Sequence, residues 1–333
     1  MFALKNLRIF FPVNSIAPRL ISASACKLQN VQSKVVSSKE VEIDVPWGHV
    51  AGKWYGSENI RPIVMIHGWQ DNAGVFDTLI PLLPSDLSYL AIDLPGHGRS
   101  SHLPKGCYYH VVDYVQLVDK IRKHYKWDQI SLIAHSMGAI ISFIYASVFS
   151  ANTNLVCALD SLKIQTFNAT TTQQTFSWRN LKQSAINEDF TRTPPVYTYD
   201  KLVQKIHEGS YKSIDLDKVE YLIERGTKLS ENDPNKFYFT RDIRVKFMQK
   251  LFCSQSVGLE FVKQVQSPFL FVRGDDRHFA EPEENTNEGV EVFRKHNPQF
   301  EMVKVHGTHH LHLNEPELIA GNLSEFLKKY HSQ

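Results

Sequence analysis

The stretch Ile130–Ile140, ISLIAHSMGAI, decides how the chain is read. Ile130 to Ala134 is an apolar strand run. It meets His135-Ser136-Met137-Gly138 and then a small, apolar helix start. The pattern predicts a strand, a tight turn and a helix, with Ser136 at the apex on strained backbone and its hydroxyl above a sheet. Neighbours in such a turn must be small, which accounts for Gly138. The matching position two residues before the serine holds Ala134, one methyl larger than glycine. In this geometry the Met137 N–H points to where an oxyanion would form.

Composition narrows the function classes. The 333-residue chain suits one large domain with an insertion, and 42% hydrophobic residues allow a sizeable core. Lys and Arg number 37 against 35 Asp and Glu, a net charge of +2, so no broad basic surface for nucleic acid is implied. Cys26, Cys107, Cys157 and Cys253 have neither metal spacing nor a disulfide-rich pattern, and a reducing compartment is the default. No metal and no cofactor are expected. His309-His310-x-His312 is the one metal-like spacing, and it reads more simply as a catalytic histidine and its neighbours.

Residues 1–39 carry Lys5, Arg8, Arg19, Lys27, Lys34 and Lys39 and no acid. A basic, acid-free, intermittently apolar leader has the composition of an organellar transit peptide. The expectation is a leader over residues 1–35 and a mitochondrial protein, with the cytoplasm or peroxisome as alternatives. Charges and prolines break the apolar runs well short of the roughly 18–20 residues a membrane span needs. The core is expected over 36–160 and 251–333, with a helical lid insertion over 161–250.

The core alternates strands and helices. Val41, Ile43 and Val45 alternate with acids in a first strand, and a second follows near Val50–Tyr55. Buried strands are expected at Pro62–His67, Leu87–Asp93, Ile130–Ala134, Asn154–Leu159, Pro268–Arg273 and Phe300–Val305. Helices are expected at Val75–Leu83, Tyr109–Tyr125, Leu251–Val265, Glu284–His296 and Glu315–Tyr330, with Asn314 as cap of the last. This rhythm implies a mostly parallel sheet covered by helices, whose chemistry gathers at the strand C-terminal ends. His67-Gly68, Asp93, Ser136 and Asp160 all lie at such ends. The rhythm breaks from about Leu162 to Arg244. Helical patterns there cover Tyr199–His207 and Leu216–Arg225. Phe167, Phe176, Trp178, Tyr197, Tyr221, Phe237 and Phe239 could line a pocket or simply pack the insertion.

A serine hydroxyl needs a base within hydrogen-bond reach and an anion to orient that base. Ser136, a late acid and a histidine near the end follow in the order of one known triad arrangement. His67-Gly68-Trp69, Asp93-Leu94-Pro95-Gly96-His97-Gly98, His135-Ser136-Met137-Gly138 and His309 ahead of Pro316 together resemble the α/β-hydrolase superfamily over nearly all of Val41–Tyr330. Gly68-Trp69-Gln70-Asp71-Asn72-Ala73-Gly74 and Phe239-Thr240-Arg241-Asp242-Ile243-Arg244 resemble its narrower serine hydrolase-like (kraken-type) family. The resemblance implies an eight-stranded, mostly parallel sheet and a serine hydrolase without cofactor. It selects His309 over His310 and His312 as base, and makes His97 a structural turn residue. The oxyanion donors would be the N–H groups of Met137 and Trp69. The acid is expected at Asp276, by sliding the usual glycine spacing one place, with Asp160 and Asp275 as alternatives. A serine at the apex argues against epoxide hydrolase or dehalogenase chemistry, which needs aspartate there. The expected substrate is a small-molecule ester with an apolar acyl or aryl group, with thioesters or lactones as variants. Inward-facing Arg241 or Arg244 would instead favour a carboxylated one. The alternative to an enzyme is a non-catalytic ligand-binding protein of the same fold. The sequence leaves the oligomeric state open.

Overall fold

In a computed structural model the chain is described over residues 37–166, 193–248, 251, 253–276 and 281–331. The basic leader, Phe167, Phe176 and Trp178 lie outside these residues.

Eight strands form one sheet: β1 (Ser38–Val45), β2 (Gly48–Tyr55), β3 (Ile63–Ile66), β4 (Tyr89–Ile92), β5 (Ile130–His135), β6 (Thr153–Leu159), β9 (Phe269–Gly274) and β10 (Phe300–Val305). Their order is β1-β2-β4-β3-β5-β6-β9-β10. The β1–β2 and β2–β4 pairs are antiparallel and the others parallel. The fully apolar runs make the central strands: β3, β4 and β5 are buried throughout. A strand covered on both faces needs no polar alternation.

The helices shield both faces. In α1 (Val111–His124) the buried side chains include Val111, Tyr114, Val115, Val118 and Ile121, which share one face at helical spacing. The helix after the apex, α2 (Met137–Val148), is buried almost all round. Two core clusters result, one on each face of the sheet.

The expected helix over 75–83 is instead two short 3-10 turns, Ala73–Phe76 and Ile80–Leu82. Pro81 and Pro84 remove backbone donors and prevent a longer helix.

The insertion holds α3 (Tyr199–Gly209), α4 (Glu220–Gly226) and an antiparallel hairpin of β7 (Thr227–Ser230) and β8 (Asp233–Phe239). The hairpin departs from the all-helical expectation. Its strands are only partly buried, so they carry no clean apolar alternation. The chain continues through α5 (Gln255–Gln264), α6 (Glu283–His296), a helical turn α7 (Leu311–Asn314) and α8 (Glu317–Tyr330). Asn314 does not cap the last helix. Its amide donates to the Ser213 carbonyl and its oxygen accepts from the Asp215 N–H, joining α7 to the insertion.

Buried charge fastens the insertion to the core. Arg225 of α4 is 2% exposed and Asp93 is fully buried. The Arg225 guanidinium reaches Asp93 Oδ2 at 2.8 Å and Glu40 of β1 at 2.5 Å. Asp93 also accepts from the Ala73 and Arg99 N–H groups. Removing one member leaves the other buried without its partner. Arg225→Met should therefore cost about 3–5 kcal/mol in urea unfolding. A loss below about 1 kcal/mol, the range of surface pairs, would show that the pair does not anchor the insertion.

Candidate active site

Three elements bring the site together. β5 delivers Ser136 in the left-handed region, at φ 52°. Such backbone in a non-glycine residue costs on the order of 1–3 kcal/mol and must be held by its surroundings. Part of the hold is the Ser136 N–H bond to the Leu159 carbonyl, 2.9 Å, which extends the β5–β6 ladder past the end of β5. Another part is Gly138. A Cβ there would fall 2.2 Å from the Ile66 carbonyl oxygen, so only glycine lets α2 begin against the end of β3. Met137 is the first residue of α2, where an N–H has no carbonyl within the helix and adds to the positive helix end.

The loop after β10 supplies the base. His309 Nε2 lies 2.9 Å from Ser136 Oγ, and His309 Nδ1 lies 2.5 Å from Asp160 Oδ2. The Asp160 side chain is fully buried, and its Oδ1 accepts the Gly274 N–H at 3.1 Å. His309 is 23% exposed, open enough to meet a substrate.

The expectation of Asp276 is corrected here, because the carboxylate on His309 belongs to Asp160. Strand register explains why. His135 pairs with Leu159, and Leu159 with Val272. Ser136 and Asp160 therefore stand level on adjacent strands. The residue level with them on β9 is Arg273, and Asp276 lies three places farther on. Its N–H donates to the Gly307 carbonyl and its side chain is exposed. Asp275 turns to His306 and the Gly307 N–H. Gly274, from which the acid's spacing is counted, is required for a different reason. A Cβ there would lie 2.7 Å from the Gly307 carbonyl oxygen, so glycine admits the histidine loop close to β9.

The remaining histidines are structural in their contacts. His67 donates from Nδ1 to the Gly68 carbonyl and accepts the Leu94 N–H at Nε2. His97 donates to the Pro95 carbonyl and accepts the Gln70 N–H. His135 donates from Nε2 to the His309 carbonyl at 2.9 Å. His310 and His312 stand beside His135, with ring centroids 4.8 and 4.2 Å from its own.

Trp69 follows Gly68 in the loop after β3, and its indole N–H donates to the Val245 carbonyl at 2.7 Å. This contact to the insertion was not legible in the sequence. Thr308 Oγ1 donates to the Ser213 carbonyl, Asn72 to the Leu222 carbonyl, and the Asp242 N–H to the Gly96 carbonyl. The insertion is thus bonded to loops that follow β3, β4 and β10, at the sheet edge that carries Ser136. Arg244 is committed to structure. It bridges Asp242 and the carbonyls of Leu103, Pro104 and Cys107.

The model of the α/β-hydrolase fold family matches residues 61–316. The chain belongs to that family. It is 34% identical over 295 residues to a probable serine hydrolase of Drosophila melanogaster, covering 88% of each chain. It is 30% identical over 302 residues to a serine hydrolase-like protein of Danio rerio, covering 88% of this chain and 89% of that one. Among solved structures, a hypothetical protein of Pseudomonas aeruginosa PAO1 superposes with a TM-score of 0.73 at 28% identity, over 87% of this chain and 98% of that one. The thioesterase domain from the curacin biosynthetic pathway shares the fold, with a TM-score of 0.70 at 20% identity over 86% and 99% of the two chains. These likenesses support a hydrolase of the α/β-hydrolase fold.

Burial gives the site an acid-sensitive foundation. It pulls His135 from the usual 6.5 to about 4 and His97 to about 3, and it lowers His67 and His312 as well. An unfolded histidine takes up a proton near pH 6.5, whereas these resist it until their lower folded values. Unfolding then binds protons, so stability falls as pH drops from about 6.5 towards 4. Urea midpoints measured between pH 7.5 and pH 4.5 should fall across this window. A flat profile would overturn the neutral-histidine reading.

Proposed function

We propose that the protein is a serine hydrolase that cleaves small to medium uncharged carboxylic esters through an acyl-serine intermediate. The observation that carries this reading is the chain of contacts from Ser136 Oγ through the His309 ring to Asp160, at 2.9 and 2.5 Å. His309 Nε2 takes the Ser136 proton as Oγ attacks the acyl carbon, and the carbonyl electron pair moves onto oxygen. The Met137 and Trp69 N–H groups receive that oxyanion. Asp160 holds the Nδ1–H tautomer and stabilises the imidazolium. The tetrahedral adduct collapses, and His309 returns the proton to the departing alkoxide. Water, deprotonated by His309, then releases the acid and restores Ser136.

The insertion serves as a lid in this reading. Its bonds to the loops around Ser136 support that role, and Tyr197, Phe237 and Phe239 supply apolar surface. Burying an apolar acyl group is worth about 25 cal/mol per Å². Excluding water also strengthens the polar contacts at the reacting carbonyl. Thioesters and lactones fit the same chemistry.

One observation favours a second substrate reading, an ester bearing a carboxylate. Arg241 is half-buried and stacks on Phe239, its guanidinium 4.3 Å from the ring centroid. Among the described residues no carboxylate is ion-paired with it, and burial pulls it down to about 10.

Two experiments test the proposal. A fluorophosphonate probe should label the wild-type protein and not Ser136→Ala. Asp160→Asn should lower ester turnover on the order of 10⁴-fold, while Asp276→Asn keeps it near wild type. A folded wild-type protein that takes no label would leave a ligand-binding protein of hydrolase fold. In a panel of p-nitrophenyl esters from two to twelve carbons with ω-carboxylate analogues, the neutral esters should give the higher kcat/KM. A preference for the anionic analogues that disappears in Arg241→Ala would decide for the second reading.

A further inference from the structure

Behind His309, three buried groups converge that the hydrolytic mechanism does not use: Asp71, His135 and His310. Their nearest ligand atoms all lie within 4.8 Å of one another. The Asp71 Oδ2 oxygen is 3.5 Å from His135 Nδ1 and 3.4 Å from His310 Nε2.

Hydrogen-bond bookkeeping fixes where the ring protons sit. His135 Nε2 faces the His309 carbonyl at 2.9 Å, and a carbonyl can only accept. Nε2 therefore carries the hydrogen. In the neutral ring Nδ1 is then a bare lone pair, fully buried and without a hydrogen-bond partner. Ser213 Oγ donates its single hydrogen to the Ser210 carbonyl at 2.6 Å. It must accept from His310 Nδ1, 2.7 Å away, so the lone pair of neutral His310 lies on Nε2. With both rings neutral, two imidazole lone pairs and a carboxylate oxygen thus face one another. Three acceptors in a buried space repel, and a cation between them reverses the sign.

The distances suit a metal better than hydrogen bonds. Separations of 3.4 and 3.5 Å are long for N–H···O bonds. Those two are close to the edge of a tetrahedron with metal–ligand bonds of about 2.0–2.1 Å, which is about 3.3–3.4 Å, while the third separation, between the two rings, is within 4.8 Å and would shorten on the ion. The backbone leaves room as well. A Cβ on Gly68 would fall 2.7 Å from Asp71 Oδ2 and 2.8 Å from His135 Nδ1, so glycine keeps clear the side from which both groups are reached.

We propose that Asp71, His135 and His310 form a binding site for a divalent transition-metal ion of the zinc class. Two imidazole nitrogens and one carboxylate oxygen suit such an ion, and they leave a fourth position open for water. Bound there, the ion would tie the loop after β3 to the end of β5 and to the loop of the base. His135 would hold the metal through Nδ1 while its Nε2–H carries the His309 carbonyl, the outer-shell hydrogen bond that metal-ligating histidines usually make. The site is thereby linked to the position of His309 without entering the reaction.

The test uses the full chain, stripped with a chelator, exchanged into zinc and freed of excess by gel filtration. Elemental analysis should find one zinc per chain in wild type and in His309→Gln, with the ion lost in both Asp71→Asn and His310→Gln. Cobalt offered to the wild-type protein should give the intense visible bands of four- or five-coordinate sites, a readout that needs no variant. Zinc should raise Tm in wild type and leave both ligand variants unmoved. Failure of wild type to retain metal or give cobalt bands would leave a histidine–carboxylate cluster without an ion, and overturn the proposal. So would loss of the ion in His309→Gln, which would place it on Ser136's partner, or retention by both ligand variants, which would place it elsewhere on the chain.

Discussion

The constraint on which the structure depends is the left-handed backbone of Ser136. A residue with a Cβ does not adopt φ 52° for nothing, and the surroundings must over-determine it. The ladder bond to Leu159 fixes the serine's amide, and the start of α2 is driven against the end of β3. That approach is close enough to exclude any side chain at position 138. The helix can be held there because nearly all its faces are buried. Packing that involves most of the sheet thus sets one hydroxyl above it.

A second conformation of the same kind stands on the next strand. Asp160 also has positive φ, 56°, and its amide bonds the Val272 carbonyl just as that of Ser136 bonds Leu159. The two residues are equivalent positions on neighbouring parallel strands, each turned off the ladder at the moment the strand ends. Register alone makes them neighbours, and His309 closes the gap between them.

This explains what could be read in the sequence and what could not. Ser136 and His309 are marked by local signals, a strand running into small residues and a histidine ahead of a proline-led helix. The central strands are marked by continuous apolar runs. The position of the acid is a matter of register between β6 and β9, a long-range quantity on which local spacing is silent. Counting from Gly274 lands on Arg277, and sliding the count one place lands on Asp276; neither finds the acid, because that glycine answers to the backbone of Gly307 rather than to an acid turn. The hairpin of β7 and β8 was missed because its half-exposed strands lack an apolar face. The convergence of Asp71, His135 and His310 was equally hidden, since two loops and a strand end far apart in sequence supply it.

Burial decides which carboxylate can orient a base. An exposed carboxylate such as Asp276 meets an imidazolium through water and salt, and such pairs contribute about 0–1 kcal/mol. Asp160 has no exposed side-chain surface, so its charge acts on His309 in a medium that screens far less. The desolvation cost of such a charge is offset by the Gly274 N–H and by the imidazole N–H. Both come from neighbours that the fold must place there for other reasons: Gly274 to let the histidine loop pass, His309 to reach Ser136. The carboxylate is tolerated inside the protein only where these two groups already meet, and that place is the end of β6.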